Sequence, residues 1–161
     1  MVSFEEHLQQ AKSNLSALRV MLDTDHFDWQ VTISFYTAFH IAAAHMAHYN
    51  VHANTHLLIK KRISPFEPES EAKADEDAFI GYCALEVLSR KARYLHKNEQ
   101  GKKAPLKALF SDPIDAAEAL HCLNDIMIYF SRKYEADFET TKVKSPQVAK
   151  ALEHSIQYFF I

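Results

Sequence analysis

Residues 29–49 read WQVTISFYTAFHIAAAHMAHY, a run of 21 residues without a single aspartate, glutamate, lysine or arginine. Wound into a helix, this run would present apolar side chains on nearly every face, which is typical of a helix buried among other helices. The alanines between Ala38 and Ala47 would let those neighbours approach closely. The sequence therefore predicts a central buried helix over residues 29–49, ended at Asn50 in the left-handed conformation.

Further helices are marked by start signals and by apolar residues at steps of three and four. The start signals are the capping-box pair Ser3 and Glu6, the capping acids Asp25 and Asp28, and the cap-then-proline pairs Asp112-Pro113 and Ser145-Pro146. The predicted helices run from Ser3, over 54–63, from Ser70 to His96, from Asp112 and from Ser145. The last three carry stripes of Phe79, Ile80, Cys83, Val87, Leu88 and Leu95, then Ala116, Leu120, Leu123, Met127, Phe130 and Tyr134, then Val148, Leu152, Ile156 and Phe159.

Composition supports the same fold class. The chain has only two glycines, Gly81 and Gly101, and no strand pattern, whereas all-β proteins need many glycine-rich turns. We predict one all-α domain over residues 1–161, an up-and-down four-helix bundle with an additional C-terminal helix. Cys83 and Cys122 are predicted to be buried thiols. No signal peptide or membrane span is evident, so a cytoplasmic location without membrane association is expected.

Histidine is frequent, with ten in the chain, and five of these crowd the end of the central helix and the loop after it. They are His40, His45, His48, His52 and His56. Pairs three or four residues apart could share a helical face and bind a metal through ring nitrogens, with a third ligand from residues 25–28. The same histidines would also serve as caps or as partners of backbone groups. We predict no metal and no cofactor, and keep a histidine-rich metal-binding bundle as an alternative.

A basic stretch offers a different chemistry. Between Leu88 and Lys107 there are seven basic residues and one acid, although the net charge of the chain is -3. Arginine holds phosphate by paired hydrogen bonds, and histidine can move a proton near neutral pH, so Arg90, Arg93 and His96 suit phosphodiester chemistry in RNA. The lysines predicted to contact RNA are Lys91, Lys97, Lys102 and Lys103. Cations near the end of a helix are also favoured by its dipole alone.

Four short runs stand out together: Asp28-Trp29-Gln30-Val31, Ser34-Phe35-Tyr36-Thr37-Ala38-Phe39-His40, Val51-His52-Ala53-Asn54-Thr55-His56 and Leu88-Ser89-Arg90-Lys91-Ala92-Arg93-Tyr94. Their acid-Trp start, aromatic pair before Ala-x-His and His-x-x-x-His loop resemble small prokaryotic HEPN-like proteins. The resemblance covers residues 29–96, roughly half of the chain.

This resemblance implies an all-helical bundle that forms homodimers, often a metal-independent ribonuclease of toxin or antiviral systems. It implies an active site of an arginine, four to six intervening residues and a histidine, contributed by both protomers at the dimer seam; Arg90 and His96 match this spacing with five residues between them. The family usually has Asn, Asp or His directly after the arginine, whereas this chain has Lys91, a departure that bears on cleavage. Other members lack the motif and act as binding modules, some beside a nucleotidyltransferase.

Three functions are left open by the sequence. The first is a homodimeric, metal-independent ribonuclease of a toxin or defence system, with Arg90, Arg93 and His96 as its catalytic residues. The second is a non-catalytic HEPN-like module that binds RNA, a nucleotide or a protein partner. The third is the metal-binding bundle. Whether the chain is an enzyme is therefore not decided by its sequence.

Overall fold

The computed structural model describes residues 2–53, 55–93 and 111–161. Within these ranges the chain forms six helices and two very short strands. They are α1 (Phe4–Met21), α2 (Phe27–His48), α3 (His56–Ile63), α4 (Glu76–Arg93), α5 (Pro113–Tyr134), β1 (Thr141–Lys142), α6 (Pro146–Leu152) and β2 (Phe159–Phe160). The predicted all-α class is confirmed.

Helix α2 is the central element, as its composition predicted. It packs against α1, α4 and α5, and α6 packs against α5. Val31, Phe35, Ala38 and Ala44 of α2 have no exposed surface. One hydrophobic core gathers apolar residues from all six helices and from β2. No helix of the described residues is long and apolar enough to cross a membrane.

Three of the four marked helix starts, those of α1, α5 and α6, were predicted correctly. Ser3 and Glu6 form the expected capping box of α1, and Ser145 caps α6. Asp112 caps α5 and forms a second capping box with Asp115. Asn50 has the expected positive φ of 58° after α2.

The prediction that Asp25 or Asp28 caps α2 was wrong. The helix begins at Phe27, and the residue in the cap position, His26, makes no side-chain capping bond. The Asp25 carboxylate instead accepts a 2.8 Å hydrogen bond from the Ser145 hydroxyl at the start of α6. Asp28 accepts a 2.8 Å hydrogen bond from the backbone N–H of Ser111. Both acids therefore connect α2 and the turn before it to distant parts of the chain and do not cap the start of the helix.

The predicted helix from Ser70 to His96 begins later than expected. The Asp75 side chain accepts a 2.8 Å hydrogen bond from the backbone N–H of Ala78, which fixes the start of α4 at Glu76. Before it, the Ser70 hydroxyl and the Ala72 N–H both donate to the carbonyl of Arg62 at the end of α3. These contacts hold residues 70–74 against α3 and so prevent a helix there. The predicted end at His96 lies outside the described residues.

The buried face of α4 also differs from the predicted stripe. Ile80 and Val87, predicted as core residues, lie at the surface, and the helix buries Ala78, Tyr82 and Leu85. Gly81 lies where α4 approaches α5 closely: a Cβ atom at this position would stand 3.0 Å from the carbonyl oxygen of Cys122. Small residues therefore set the distance between these two helices.

The C-terminal segment contradicts two predictions. Helix α6 ends at Leu152, where Glu153 has a φ of 66°, so Ile156 and Phe159 do not continue its stripe. Phe159 belongs to β2, which pairs in parallel with β1 although no strand was predicted. The backbone N–H of Thr141 donates to the carbonyl of Tyr158 over 2.8 Å. The ladder therefore places the buried Phe159 in the core, while Phe160 and Ile161 stay exposed.

A buried histidine holds α2 to two other parts of the fold. Nε2 of His45 lies 2.9 Å from the carbonyl oxygen of Ala72, which only accepts, so this nitrogen carries the proton and donates. Nδ1 therefore accepts the 2.7 Å hydrogen bond from the Tyr134 hydroxyl at the end of α5. Burial lowers the pKa of His45 to about 4, because the charged ring would lose its hydration.

We expect His45 to make stability depend on pH. The unfolded chain binds a proton at the ordinary histidine pKa of 6.5, whereas the folded chain resists it down to about 4. Above pH 6.5, His45 thus does not reduce the free energy of unfolding. As the pH falls from 6.5 toward 4, the unfolded chain takes up the proton first, and this residue lowers the free energy of unfolding by about 3 kcal/mol. Urea unfolding across this range should give a flatter profile for His45→Gln than for the native chain. An equal decline in the two proteins would contradict this assignment, and His121→Gln is the control.

Candidate functional site

The C-terminal end of α4 carries the described part of the predicted RNA site. Arg90, Lys91 and Arg93 lie in the last turn of this helix. Of the remaining predicted residues, His96, Lys97, Lys102 and Lys103 lie outside the described residues. The structure therefore locates the arginines of the predicted site but not its histidine.

Arg93 lies across two aromatic rings of α2. Its guanidinium carbon is 5.6 Å from the centre of the Phe35 ring and 5.5 Å from that of Tyr36. Its Nη1 donates a 3.0 Å hydrogen bond to the Tyr36 hydroxyl, and its Nε donates to the carbonyl of Ser89. A planar guanidinium stacked in this way is held in one orientation, which favours recognition of a planar or forked ligand.

A groove opens between this end of α4 and the first half of α2. It is lined by Asp28, Trp29, Thr32, Tyr36, Ala92 and Arg93. Trp29 is 61% exposed and Tyr36 is 38% exposed, although the rest of α2 is largely buried. Trp29 and Tyr36 are seven residues apart, which is close to two helical turns and explains why both reach the same groove.

Arg90 has a different environment, because it pairs with a buried carboxylate. Glu86 is only 2% exposed, and its Oε1 contacts Nη2 of Arg90 one turn further along α4. Its Oε2 lies 2.6 Å from Nζ of Lys60 on α3. Burial alone would raise the pKa of Glu86, but Lys60 and Arg90 hold it below its ordinary value. Both oxygens of the ionised carboxylate are therefore occupied by cations.

Lys91 is held by the start of the next helix. Its Nζ contacts both carboxylate oxygens of Asp115, at 2.9 and 2.7 Å. Asp115 also accepts a hydrogen bond from the backbone N–H of Asp112 in the α5 capping box. Lys91 thus fastens the end of α4 to the start of α5, and this contact accounts for a lysine directly after Arg90.

His56, the first residue of α3, lies beside these charged groups. Its ring centre is 5.0 Å from that of Phe35 and 5.3 Å from that of Phe39. Burial lowers its pKa; Glu86 opposes this shift, and Arg93, Arg90 and Lys60 add to it. Its Nδ1 atom is buried and has no hydrogen-bond partner among the described residues.

The histidines near the end of α2 do not form one cluster. His40 contacts His7 of α1, with 3.2 Å between the two Nδ1 atoms, and His45 binds Tyr134 and Ala72. His48 packs against aromatic rings, and His56 lies beside Phe35 and Phe39. Across residues 2–53, 55–93 and 111–161, no three His, Cys, Asp or Glu side chains are grouped to hold a metal. The geometry of the described histidines therefore gives the metal-binding alternative no support.

The two cysteines are free thiols, and they are only partly buried rather than fully buried as predicted. Burial nevertheless raises the pKa of Cys122 to about 11, and it also raises the pKa of Cys83. Both thiols are thus kept protonated near neutral pH, which makes them poor nucleophiles.

Sequence reasoning missed several members of the site. Trp29 and Tyr36 were interpreted as part of an apolar helix and of the HEPN-like resemblance but not as site residues, whereas their spacing of seven places them on the same exposed edge. Glu86 could have been found from its position four residues before Arg90, a spacing that favours an ion pair. The contribution of Lys60 and His56 depends on how α3 packs, and no local signal in the sequence reveals it.

Comparison with known proteins adds no identification: no protein-family model, no curated protein and no solved structure matches this chain. The likeness to HEPN-like proteins stays a prediction based on the residues quoted above. What is shown is the class, an all-α helical bundle.

We predict that Lys60 stabilises the fold through Glu86. Lys60→Met leaves the buried carboxylate with Arg90 alone, so the free energy of unfolding should fall by about 2 kcal/mol. The exposed neighbour Lys61 provides the control, and Lys61→Met should change stability by less than about 0.5 kcal/mol. Urea unfolding of the three proteins measures both values. Equal free energies of unfolding in the two variants would show that the Lys60–Glu86 ion pair does not stabilise the fold.

Proposed function

We propose that this chain is a HEPN-like helical domain that binds single-stranded RNA in the groove between α2 and the end of α4. The observation that carries the proposal is the stacking of Arg93 on Tyr36 beside the exposed ring of Trp29. Aromatic rings and arginine planes are the surfaces on which unpaired bases stack, and arginine also binds the phosphates between them. The groove combines both kinds of contact.

The basic residues of this region favour the binding of a polyanion, with modest affinity. Arg93 and Asp28 both line the groove, and beside it Arg90 contacts Glu86 and Lys91 contacts Asp115. The sequence that follows α4 adds Lys97, Lys102, Lys103 and Lys107. Because the whole chain carries a net charge of -3, the attraction depends on this local basic region and will weaken with added salt.

Trp29 provides a direct test, because it is the one tryptophan in the sequence. Titration with a ten-nucleotide oligouridylate should quench its fluorescence and saturate. Tyr36→Ala should weaken binding about tenfold, since stacking of one base contributes about 1–3 kcal/mol. Arg93→Lys should also weaken it, because lysine keeps the charge but loses the planar stacking surface.

The matched control is Phe66→Ala, since Phe66 is as exposed as Trp29 but does not line the groove. It should leave the affinity for RNA unchanged. A lack of saturable quenching in the native protein, or equal losses in the Phe66 and Tyr36 variants, would reject the proposed groove.

Cleavage of the bound RNA is a second candidate, favoured by the position of Arg93 at the groove three residues before His96 in sequence. In this proposal Arg93 binds the scissile phosphate, Arg90 supports the local positive charge, and His96 acts as acid or base in a cytoplasmic homodimer of a toxin or defence system. The pairing of Lys91 with Asp115 favours the alternative, a module that binds RNA or a protein such as a nucleotidyltransferase without turnover.

We expect any cleavage to persist in EDTA, because the proposed chemistry uses only side chains of the protein. Native protein incubated with mixed single-stranded RNA should lose its activity by at least about a hundredfold in His96→Ala. His121→Ala, which changes a histidine on α5, should retain it. RNA binding without cleavage would reject the ribonuclease and support the binding module. Cleavage that His96→Ala does not affect would show that His96 has no role in catalysis.

A further inference from the structure

A second group of charged side chains lies next to the groove and is not used by the proposed base contacts. It comprises Lys60 and His56 of α3 together with Glu86 and Arg90 of α4, and we name it the α3–α4 cluster. Both parts of the site meet at Phe35, since Arg93 lies over its ring and His56 packs against the same ring. The cluster and the groove therefore lie side by side.

The cluster has an excess of positive charge that its own carboxylate does not neutralise. Lys60 and Arg90 share the single negative charge of Glu86, so these three side chains together carry one positive charge. Glu86 is buried, whereas the side chains of Lys60 and Arg90 are 31% and 54% exposed. The anion is thus hidden below two cations that reach solvent. Glu86 can thus hold the two cations in place from below, and it leaves their exposed sides open to an anionic ligand at the surface.

His56 provides the second observation. Its Nδ1 is buried and unpartnered among the described residues, although buried ring nitrogens normally have a hydrogen-bond partner. Burial lowers the pKa of His56, Glu86 opposes this shift, and the nearby cations Arg93, Arg90 and Lys60 add to it. An anion placed among these groups would reverse that effect and would accept hydrogen bonds from lysine and arginine.

We propose that the α3–α4 cluster is a phosphate subsite, in which Lys60, Arg90 and His56 bind the phosphate group adjacent to the nucleotide stacked in the groove. This inference rests on the proposed function for its ligand, RNA, but the chemistry it names is that of any phosphate group. Glu86 is a positioning residue: it holds Lys60 and Arg90 at a fixed separation and does not contact the phosphate itself.

The subsite is tested first without RNA. Inorganic phosphate is titrated into the full chain at constant pH and ionic strength, with chloride as the balancing ion, and the His56 ring resonances are followed by NMR. We expect a saturable shift in the native protein and in Lys60→Arg, which preserves the positive charge. Lys60→Gln should lose the shift, whereas Lys61→Gln, the same charge change one residue away, should keep it. Circular dichroism establishes that each variant is folded.

The second arm measures how the affinity for oligouridylate depends on salt. A single-stranded phosphate contact contributes about 0.7 to the slope of log K against log salt, so Lys60→Gln should reduce the slope by about that amount. Tyr36→Ala should lower the affinity but leave the slope unchanged. This difference separates the phosphate subsite from the stacking groove.

The outcomes distinguish the two proposals. A phosphate-induced shift at His56 without any RNA binding would support the subsite and reject RNA as its ligand. RNA binding with a slope unchanged by Lys60→Gln, together with no phosphate-induced shift at His56, would overturn the subsite and leave the groove in place. Equal effects of Lys60→Gln and Lys61→Gln would also overturn it, because the attraction would then be general and not local.

Discussion

Helix α2 is buried along most of its length, and the rest of the fold depends on this burial. Water does not reach the buried polar side chains of such a helix, so their hydrogen bonds form within the protein; among the described residues, Gln30 Oε1 is a buried atom of α2 that has no such partner. The Gln30 amide donates to the carbonyls of Met21 and Thr24, and the hydroxyls of Ser34 and Thr37 donate to carbonyls one turn earlier. His45 completes this set with its bonds to Ala72 and Tyr134. The bonds of Gln30 and His45 connect α2 to other parts of the chain, whereas those of Ser34 and Thr37 stay within the helix.

The candidate site arises where this burial stops. Trp29 and Tyr36 lie on an exposed edge of α2, and the end of α4 brings Arg93 onto that edge. Arg93 is oriented by the same Phe35 ring that packs in the core, so the position of the guanidinium depends directly on core packing. The charged groups of α3 are joined to this edge through Glu86. Core, groove and cluster are therefore one continuous set of contacts.

The sequence predicted the features that depend on local chemistry. The capping box at Ser3, the capping acid Asp112 and the left-handed Asn50 follow from neighbouring residues, and the burial of α2 follows from its composition. Features that depend on distant contacts were missed. Asp25 has the composition of a cap, yet it binds Ser145, which is 120 residues away. Phe159 fits a helical stripe equally well, but Glu153 ends α6 and a strand pairing places Phe159 in the core.

The candidate site likewise combines features that the local sequence predicts with contacts that only the fold reveals. The positions of Arg90, Lys91 and Arg93 at the end of a helix could be read from the sequence, but their partners could not. All three are cations within four residues, and only the fold assigns Arg90 to Glu86, Lys91 to Asp115 and Arg93 to the rings of α2. Residue type alone therefore did not show which groups hold these three cations in place.

Native-state hydrogen exchange tests the central position of α2 most directly. If α2 is the element on which the other helices pack, the amides of residues 31–46 should exchange only through global unfolding, with the full free energy of unfolding measured in urea. Exchange of these amides at a much lower free energy than those of α5 would contradict the account, because α2 would then open while the remaining helices stay folded.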